Sequence, residues 1–375
     1  MAREKFTPKE MIPIGQYSPV SSKTLQYMGA PEFPPQPQFY RPVTPKENFK
    51  MALEGKTPYW IPVGGWIMCD IRMLRPRLNP DCMASRNIFD AEEFPEYTTT
   101  KLHSSWFDLE WEFNEVAGGA TVHPGNPKVP DIEKWEDYVS IPDLDELDFK
   151  TSGEINKEYL NTDLLNQLCI VTGLWERLMA LMDVDYAAMA LIDDDEKVGV
   201  HRLFDKTTDM LIEYIRRMNE THNNLDCVLI HDDWGHQQSS FFSLATCREM
   251  FVPYYKRLID AVHGMGLYFE LHCCGKAQTL VPAMLEAGVD LWCPQNMNDY
   301  EMLTRTYKDE PIVFGLNQPD YPLDGDRETI RKATKEWVDK YKDYRVAINY
   351  TAFASPVEFL MAAYEFSRIA YQDAD

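Results

Sequence analysis

Leu267-Tyr268-Phe269-Glu270-Leu271-His272-Cys273-Cys274-Gly275 reads as a short buried strand that runs into a glycine turn. Helical stretches flank it, near 243–265 and 277–287, and the same unit recurs through the C-terminal half. Strands fall near 226–231, 267–272, 289–293, 312–316 and 345–349, with further helices near 299–307, 327–342 and 356–371. Such alternation predicts an α/β protein with a parallel sheet. Two earlier strands, Tyr59-Trp60-Ile61-Pro62-Val63-Gly64 and Leu168-Cys169-Ile170-Val171-Thr172-Gly173, bring the set to seven or eight. That number fits a closed (β/α)8 barrel of TIM type, with a doubly wound open sheet as the alternative.

Upstream the pattern is less regular. Residues 1–45 are rich in proline, which favours extended backbone, and form an N-terminal arm. Tyr17, Tyr27, Phe33, Phe39 and Tyr40 give this arm apolar contacts to make, either on the barrel or on a second subunit of a homo-oligomer. Thr44-Pro45-Lys46-Glu47-Asn48 opens a helix, with a threonine cap, proline at the first position and acid in the first turn. Residues 46–375 are then a single barrel domain with an insertion at about 80–150. Within the insertion, Trp106 to Phe113 alternates with period two and Gly118-Gly119 turns it toward Ala120-Thr121-Val122, the pattern of a hairpin. A helix is expected over Asp131–Val139, and others over Leu174–Met182 and from about Asp195 to Glu220.

Composition narrows the partners. With 60 acidic against 37 basic residues the formal charge is −23, which repels phosphate backbones and anionic lipid. Neither nucleic acid nor membrane is expected, and no run approaches the 18 or so apolar residues of a membrane helix. The opening Met-Ala-Arg-Glu-Lys-Phe lacks the apolar core of a secretory signal. Eight unevenly spaced cysteines, two of them adjacent, do not resemble a disulfide framework, so a cytoplasmic location is expected.

In a barrel the C-terminal ends of the strands carry the chemistry. Here they hold His231-Asp232-Asp233-Trp234-Gly235, His272-Cys273-Cys274-Gly275, Cys293-Pro294-Gln295, Asn317 and Asn349-Tyr350. Strand alternation places Glu270, His272 and Cys274 on one face, and an imidazole beside a thiol is a zinc-ligand pair. The plain alternative is a buried thiol pair beside a hydrogen-bonded histidine. His231 and Asp233 are candidates for a general acid or base, or for an acidic metal ligand, with Tyr350 beside them. One of the two aspartates is expected to be a backbone cap. Trp234, Gln295, Asn317 and Asn349 are candidates for contacts to substrate, although aromatic residues at strand ends more often belong to the core.

Asp232-Asp233-Trp234-Gly235, Pro253, His263-Gly264-Met265-Gly266, His272-Cys273-Cys274-Gly275, Glu286-Ala287-Gly288-Val289-Asp290 and Pro294-Gln295 occur in an order and spacing that resemble the uroporphyrinogen decarboxylase superfamily. The resemblance runs over roughly 44–372 and is to the corrinoid-dependent methyltransferase branch. It implies a barrel and a Zn2+ ion held by a His-x-Cys pair, which maps onto His272 and Cys274. The arginine-rich stretch of the decarboxylases proper is replaced here by Gly64-Gly65-Trp66-Ile67-Met68-Cys69, which disfavours decarboxylation of a tetrapyrrole. Related thiol methyltransferases take another cysteine near the last helix, where this chain has Asn349 or Thr351. Cys293 is the first substitute as third ligand, followed by Glu270 and Asp233. A zinc with few sulfurs is a harder Lewis acid, suited to an oxygen leaving group. The resemblance therefore implies O-demethylation of a small methylated substrate, best an aryl methyl ether, with transfer to a Co(I) corrinoid. Asp260 to Gly266 does not form a corrinoid-binding signature, so that cofactor (a cobalamin) would arrive on a separate corrinoid protein. A metal-free barrel acting as a binding protein is the reading from another class.

Overall fold

In a computed structural model, residues 3–18, 35–65, 68–86, 88–91, 99–114, 119–321, 325–350 and 355–374 are described. Tyr27, Phe33, Trp66, Ile67, Gly118 and Thr351 lie outside them. Among the described residues eight parallel strands form the central sheet. They are β1 (Val63–Gly65), β2 (Ile71–Leu74), β3 (Leu165–Ile170), β4 (Cys227–His231), β5 (Tyr268–His272), β6 (Leu291–Trp292), β7 (Val313–Leu316) and β8 (Val346–Tyr350). Each from β2 to β8 pairs with its successor and β8 returns to β1. Between β1 and β2 no ladder forms, but Asp70 N donates to the Val63 carbonyl at 2.7 Å and its carboxylate accepts from Val63 N at 3.0 Å. The chain is thus an α/β barrel, closed almost completely.

Two sets of apolar side chains hold it. Outward-facing strand residues such as Leu168, Ile170, Val228, Ile230, Phe269, Leu271, Trp292 and Leu316 are fully buried against the surrounding helices. A smaller cluster inside the barrel contains Leu165, Cys227, Leu291, Cys293, Val313 and Ala347. Helix α1 (Pro45–Leu53) joins that inner cluster through Phe49 and Leu53. It starts as the sequence dictates: the Thr44 hydroxyl accepts from Glu47 N at 3.1 Å and Glu47 reaches back to Thr44 N at 2.9 Å. The outer helices include α2 (Leu174–Met182), α3 (Glu196–Thr221), α4 (Val252–Gly264), α5 (Val281–Ala287), α6 (Tyr300–Thr306), α7 (Arg327–Tyr341) and α8 (Val357–Tyr371).

The described parts of the arm lie against the barrel. Pro13–Gln16 pairs with Pro37–Phe39, and Glu10, fully buried, accepts from Arg368 Nε on α8 at 3.1 Å. In the insertion the hairpin gains a further strand, giving the antiparallel order Lys101–Ser104, Leu109–Asn114, Gly119–Val122. Leu109, Trp111 and Phe113 are buried while Glu110 and Asn114 are exposed, the alternation seen in the sequence. Trp106–Asp108 departs from it: this is a 3-10 turn, with Phe107 at φ 60.

Several placements differ from expectation, the first being the strand expected over Tyr59–Gly64, which covers only Val63–Gly65. The helix at Asp131–Val139 is a 3-10 helix over Ile132–Asp137, broken at Lys134. The strand placed at 168–173 is Leu165–Ile170, because Thr172 takes a left-handed φ of 75 and Gly173 caps α2. Strand β2 had no clear sequence signal. It is buried throughout, Arg72 included, and that guanidinium lies 4.8 Å from the centre of the Tyr159 ring.

Candidate metal centre

Strands β4 and β5 pair in parallel register, with His231 opposite His272. Both side chains point inward, and their rings stack at 4.4 Å between centroids. Each strand then turns, and two residues on each brings a second donor: Asp233 after β4 and Cys274 after β5. Donor atoms of His231, Asp233, His272 and Cys274 all lie within 4.8 Å of one another, and all four residues are half-buried. Tetrahedral zinc with bonds of about 2.0–2.3 Å sets its ligand atoms roughly 3.3–3.8 Å apart. His272 Nε2 and Cys274 Sγ are 3.3 Å apart. Two imidazoles, a thiol and a carboxylate are a donor set that fits zinc.

The turns holding the second pair are packed backbone to backbone. Gly275 has φ +78, and a Cβ there would stand 2.3 Å from the Gly235 carbonyl carbon. Only glycine permits both the conformation and the approach. Cys274 N donates to Asp233 Oδ1 at 2.6 Å, which ties the two loops together. Gly275 N donates to Gln295 Oε1 at 2.8 Å.

His231 is oriented by a residue that sequence reading missed. Its Nδ1 lies 2.8 Å from Oε1 of Glu176, in the first turn of α2, which turns Nε2 toward the group. A carboxylate behind a histidine fixes ring and tautomer in metal sites. Glu176 follows Gly173 by three residues, so the strand-end glycine was a usable signal, but a glutamate at the start of a helix is commonly a solvated one. Burial pushes the Glu176 carboxyl up to about 7, against the pull of His231. Burial opposes protonation of His231, yet the Glu176 and Asp233 carboxylates raise it well above the usual imidazole range. His272 moves the other way, to about 3, through burial and the charge on His231, so its ring nitrogen keeps a free lone pair. Burial raises the Cys274 thiol, with the His231 hydrogen bond working against it.

Other candidates take different places. Asp232, fully buried, is the capping aspartate: it accepts from Glu176 N at 2.9 Å, Trp234 Nε1 at 2.8 Å and the Tyr255 hydroxyl at 2.6 Å. Trp234 is consequently core, packed on Phe242, Phe251 and Tyr255, and does not wall a ligand. Tyr350 is also corrected: it is 1% exposed and its hydroxyl donates to the Ser355 carbonyl at 3.2 Å. Cys293 stands apart from the four-residue group, with its thiol donating to Glu270 Oε1 at 3.4 Å. Gln295 is spent on Gly275, while Asn317 Oδ1 accepts from Asn349 Nδ2 at 3.0 Å. Asn349 lines the small cavity beneath the group, about 20 Å³, together with His231, His272, Glu270, Gln167, Cys293 and Arg75. Burial pushes the Glu270 carboxyl up to about 7.

The family model for uroporphyrinogen decarboxylase (URO-D) matches residues 123–350, well over half of the chain. The chain belongs to the uroporphyrinogen decarboxylase family. That match takes in β3 to β8 and all four residues of the candidate centre. Among solved structures, a methyltransferase from Methanosarcina mazei is similar with a TM-score of 0.57 at 16% identity, over 88% of this chain and 99% of that one. A B12-independent methionine synthase from Shewanella sp. W3-18-1, in complex with selenomethionine, gives a TM-score of 0.38 at 9% identity, over 63% of this chain and 67% of that one. No curated protein matches. Among the described residues no helix is long and apolar enough to cross a membrane.

Proposed function

We propose that the protein is a zinc-dependent methyltransferase that passes a methyl group from a small methylated donor to the Co(I) corrinoid of a separate protein. One observation carries this reading: His231, Asp233, His272 and Cys274 converge within 4.8 Å on the active rim of a barrel of this family. Likeness to the methyltransferase from Methanosarcina mazei supports the choice of fold branch but leaves the chemistry to the site.

His272 and Cys274 would hold the ion, with His231 or Asp233 completing the set. When bound, zinc supplies Lewis acidity toward the heteroatom that the methyl group leaves. With one thiol among four donors that acidity is hard, which favours oxygen over sulfur. The donor is therefore read as an aryl methyl ether, and the reaction as O-demethylation. Aryloxide is a poor leaving group, and stabilising its developing charge is what the protein must contribute. Whichever of Asp233 and the His231–Glu176 pair does not hold the ion could hold or deliver a proton for the departing oxygen. The cavity below, about 20 Å³, has room for a water and not for a ring, so the donor's ring would lie on the rim above it.

Decarboxylation of a tetrapyrrole acid would need several cations for its carboxylates, and Arg75 is the single arginine lining this cavity among the described residues. In the test, purified protein is analysed for metal and incubated with Co(I) cobalamin and methoxylated aromatics. About one zinc per chain, lost in His272→Ala, and growth of methylcobalt absorbance are expected. A metal-free protein that never methylates Co(I) from any aryl ether would leave a binding protein as the better reading.

A further inference from the structure

We propose that the cavity between the N-terminal arm and α8 is a binding site for a small zwitterion, an amino acid or short aminocarboxylate, whose carboxylate meets Arg41 and whose ammonium meets Asp70. The site lies apart from the candidate metal centre, none of whose residues lines it, and the inference does not depend on methyl transfer. Val63 and Asp70, at the seam where β1 and β2 form no ladder, close its barrel side. It offers about 90 Å³, where one water needs roughly 10–15 Å³, so a molecule of roughly six heavy atoms fits. Gln36, Phe39 and Arg41 of the arm and Leu360 and Met361 of α8 line it and are only partly buried, so the cavity opens to solvent.

Two opposite charges line this cavity, and among the described residues neither forms an ion pair. Each is fixed by other partners. Arg41 Cζ stands 3.6 Å from the centre of the Tyr364 ring and 4.7 Å from that of Phe39, while Nη1 donates to the Glu10 carbonyl at 2.7 Å. Asp70 Oδ2 accepts from Trp60 Nε1 at 2.9 Å and from Val63 N at 3.0 Å. Nε and Nη2 of the guanidinium and Oδ1 of the carboxylate are left over among the described residues, and none of the three is sealed from solvent. Tyr17 and Gln36 spend their donors elsewhere, on Asp163 and the Cys69 carbonyl. Water fills such a space, but it neutralises neither charge. A guanidinium edge and a carboxylate held apart between apolar walls match the two ends of one zwitterion, through charge-assisted hydrogen bonds at both. Because Arg41 belongs to the arm and Asp70 to the barrel, that ligand would also pin one to the other.

Calorimetry on the full chain compares glycine, alanine, β-alanine and 4-aminobutyrate with acetate and methylammonium, which carry one charge each. At least one zwitterion is expected to bind roughly tenfold tighter than either single-charge ion. Asp70→Asn, which keeps an oxygen for Trp60 and Val63, should reduce that zwitterion to the affinity of acetate, and Arg41→Gln should reduce it to that of methylammonium. Failure of every compound to bind the wild type, which needs no variant to fold, overturns the proposal and leaves a cavity that holds water only. Equal binding of acetate and the zwitterions overturns it as well. A preference that survives in both variants puts the zwitterion elsewhere and rejects this cavity.

Discussion

Replacing Gly275 with alanine probes the joint on which the candidate centre depends. Two costs are combined at this position. The first is conformational: at φ +78 an alanine gives up about 1–2 kcal/mol relative to glycine. The second is steric, because the new Cβ would lie 2.3 Å from the Gly235 carbonyl carbon, 2.5 Å from its oxygen and 2.6 Å from His236 N. These are backbone atoms, tied on their far side by Lys276 N donating to the His236 carbonyl at 2.9 Å, so the loops must part. Overpacking of this kind costs roughly 1–3 kcal/mol, and the sum is about 2–5 kcal/mol. Gly266 separates the two terms: it has φ +79, yet a Cβ there meets nothing within 4 Å among the described residues. Gly266→Ala should therefore lose only the first, about 1–2 kcal/mol. Denaturant unfolding of both variants gives the difference, and competition with a chromophoric chelator gives zinc affinity. Parting the loops pulls Cys274 N from Asp233, now at 2.6 Å, so Gly275→Ala should also bind zinc at least tenfold more weakly. Equal destabilisation in the two variants, with zinc affinity intact in both, would refute the packing argument.

Three further outcomes are expected. Glu176→Gln keeps the shape behind His231 but removes the carboxylate 2.8 Å from its Nδ1, so zinc affinity should drop roughly 10- to 100-fold with the melting temperature nearly unchanged; an unaltered affinity means His231 does not bind the ion. His222, 1% exposed and 3.0 Å from the Ser152 hydroxyl, is lowered to about 4 by burial. Its contribution is thus complete above pH 6.5 and lost as the pH falls toward 4, about 3 kcal/mol in all. In unfolding curves across that window, His222→Gln should lose this part of the slope, and identical slopes would reject it. Glu10→Ala strands the fully buried Arg368 guanidinium and should cost about 3–5 kcal/mol, measured by denaturation and by faster proteolysis of the arm; a loss under about 1 kcal/mol would show that the arm is not anchored there.

How much of this could be read in the sequence depended on what each residue's neighbours in the chain reveal. The C-terminal strands were legible because each is an apolar run between turn residues and a long amphipathic helix, and β4, β5, β7 and β8 lie within a residue or two of their expected places. Strand β2 was not, since a buried arginine in four residues defeats any reading by period. In the site, His272 and Cys274 stand on one strand end, so local alternation was enough to pair them. Glu176 is 55 residues from His231 and joins it only because the α2 start packs beside β4. Trp234 and Tyr350 were misjudged for the converse reason: rim position says that a side chain is near the site, whereas its direction is set by tertiary partners such as Asp232 and the Ser355 carbonyl.

The donor set itself follows from register. Neighbouring parallel strands that pair His231 with His272 put their i+2 residues, Asp233 and Cys274, at the same height just past the sheet, so two short local patterns become one four-sided group. Cys293 follows β6, where Leu291 pairs with Glu270, and its thiol donates to Glu270 Oε1 at 3.4 Å instead of joining the group. Among the described residues Cys274 is thus the one thiol in the group, beside two imidazoles and a carboxylate.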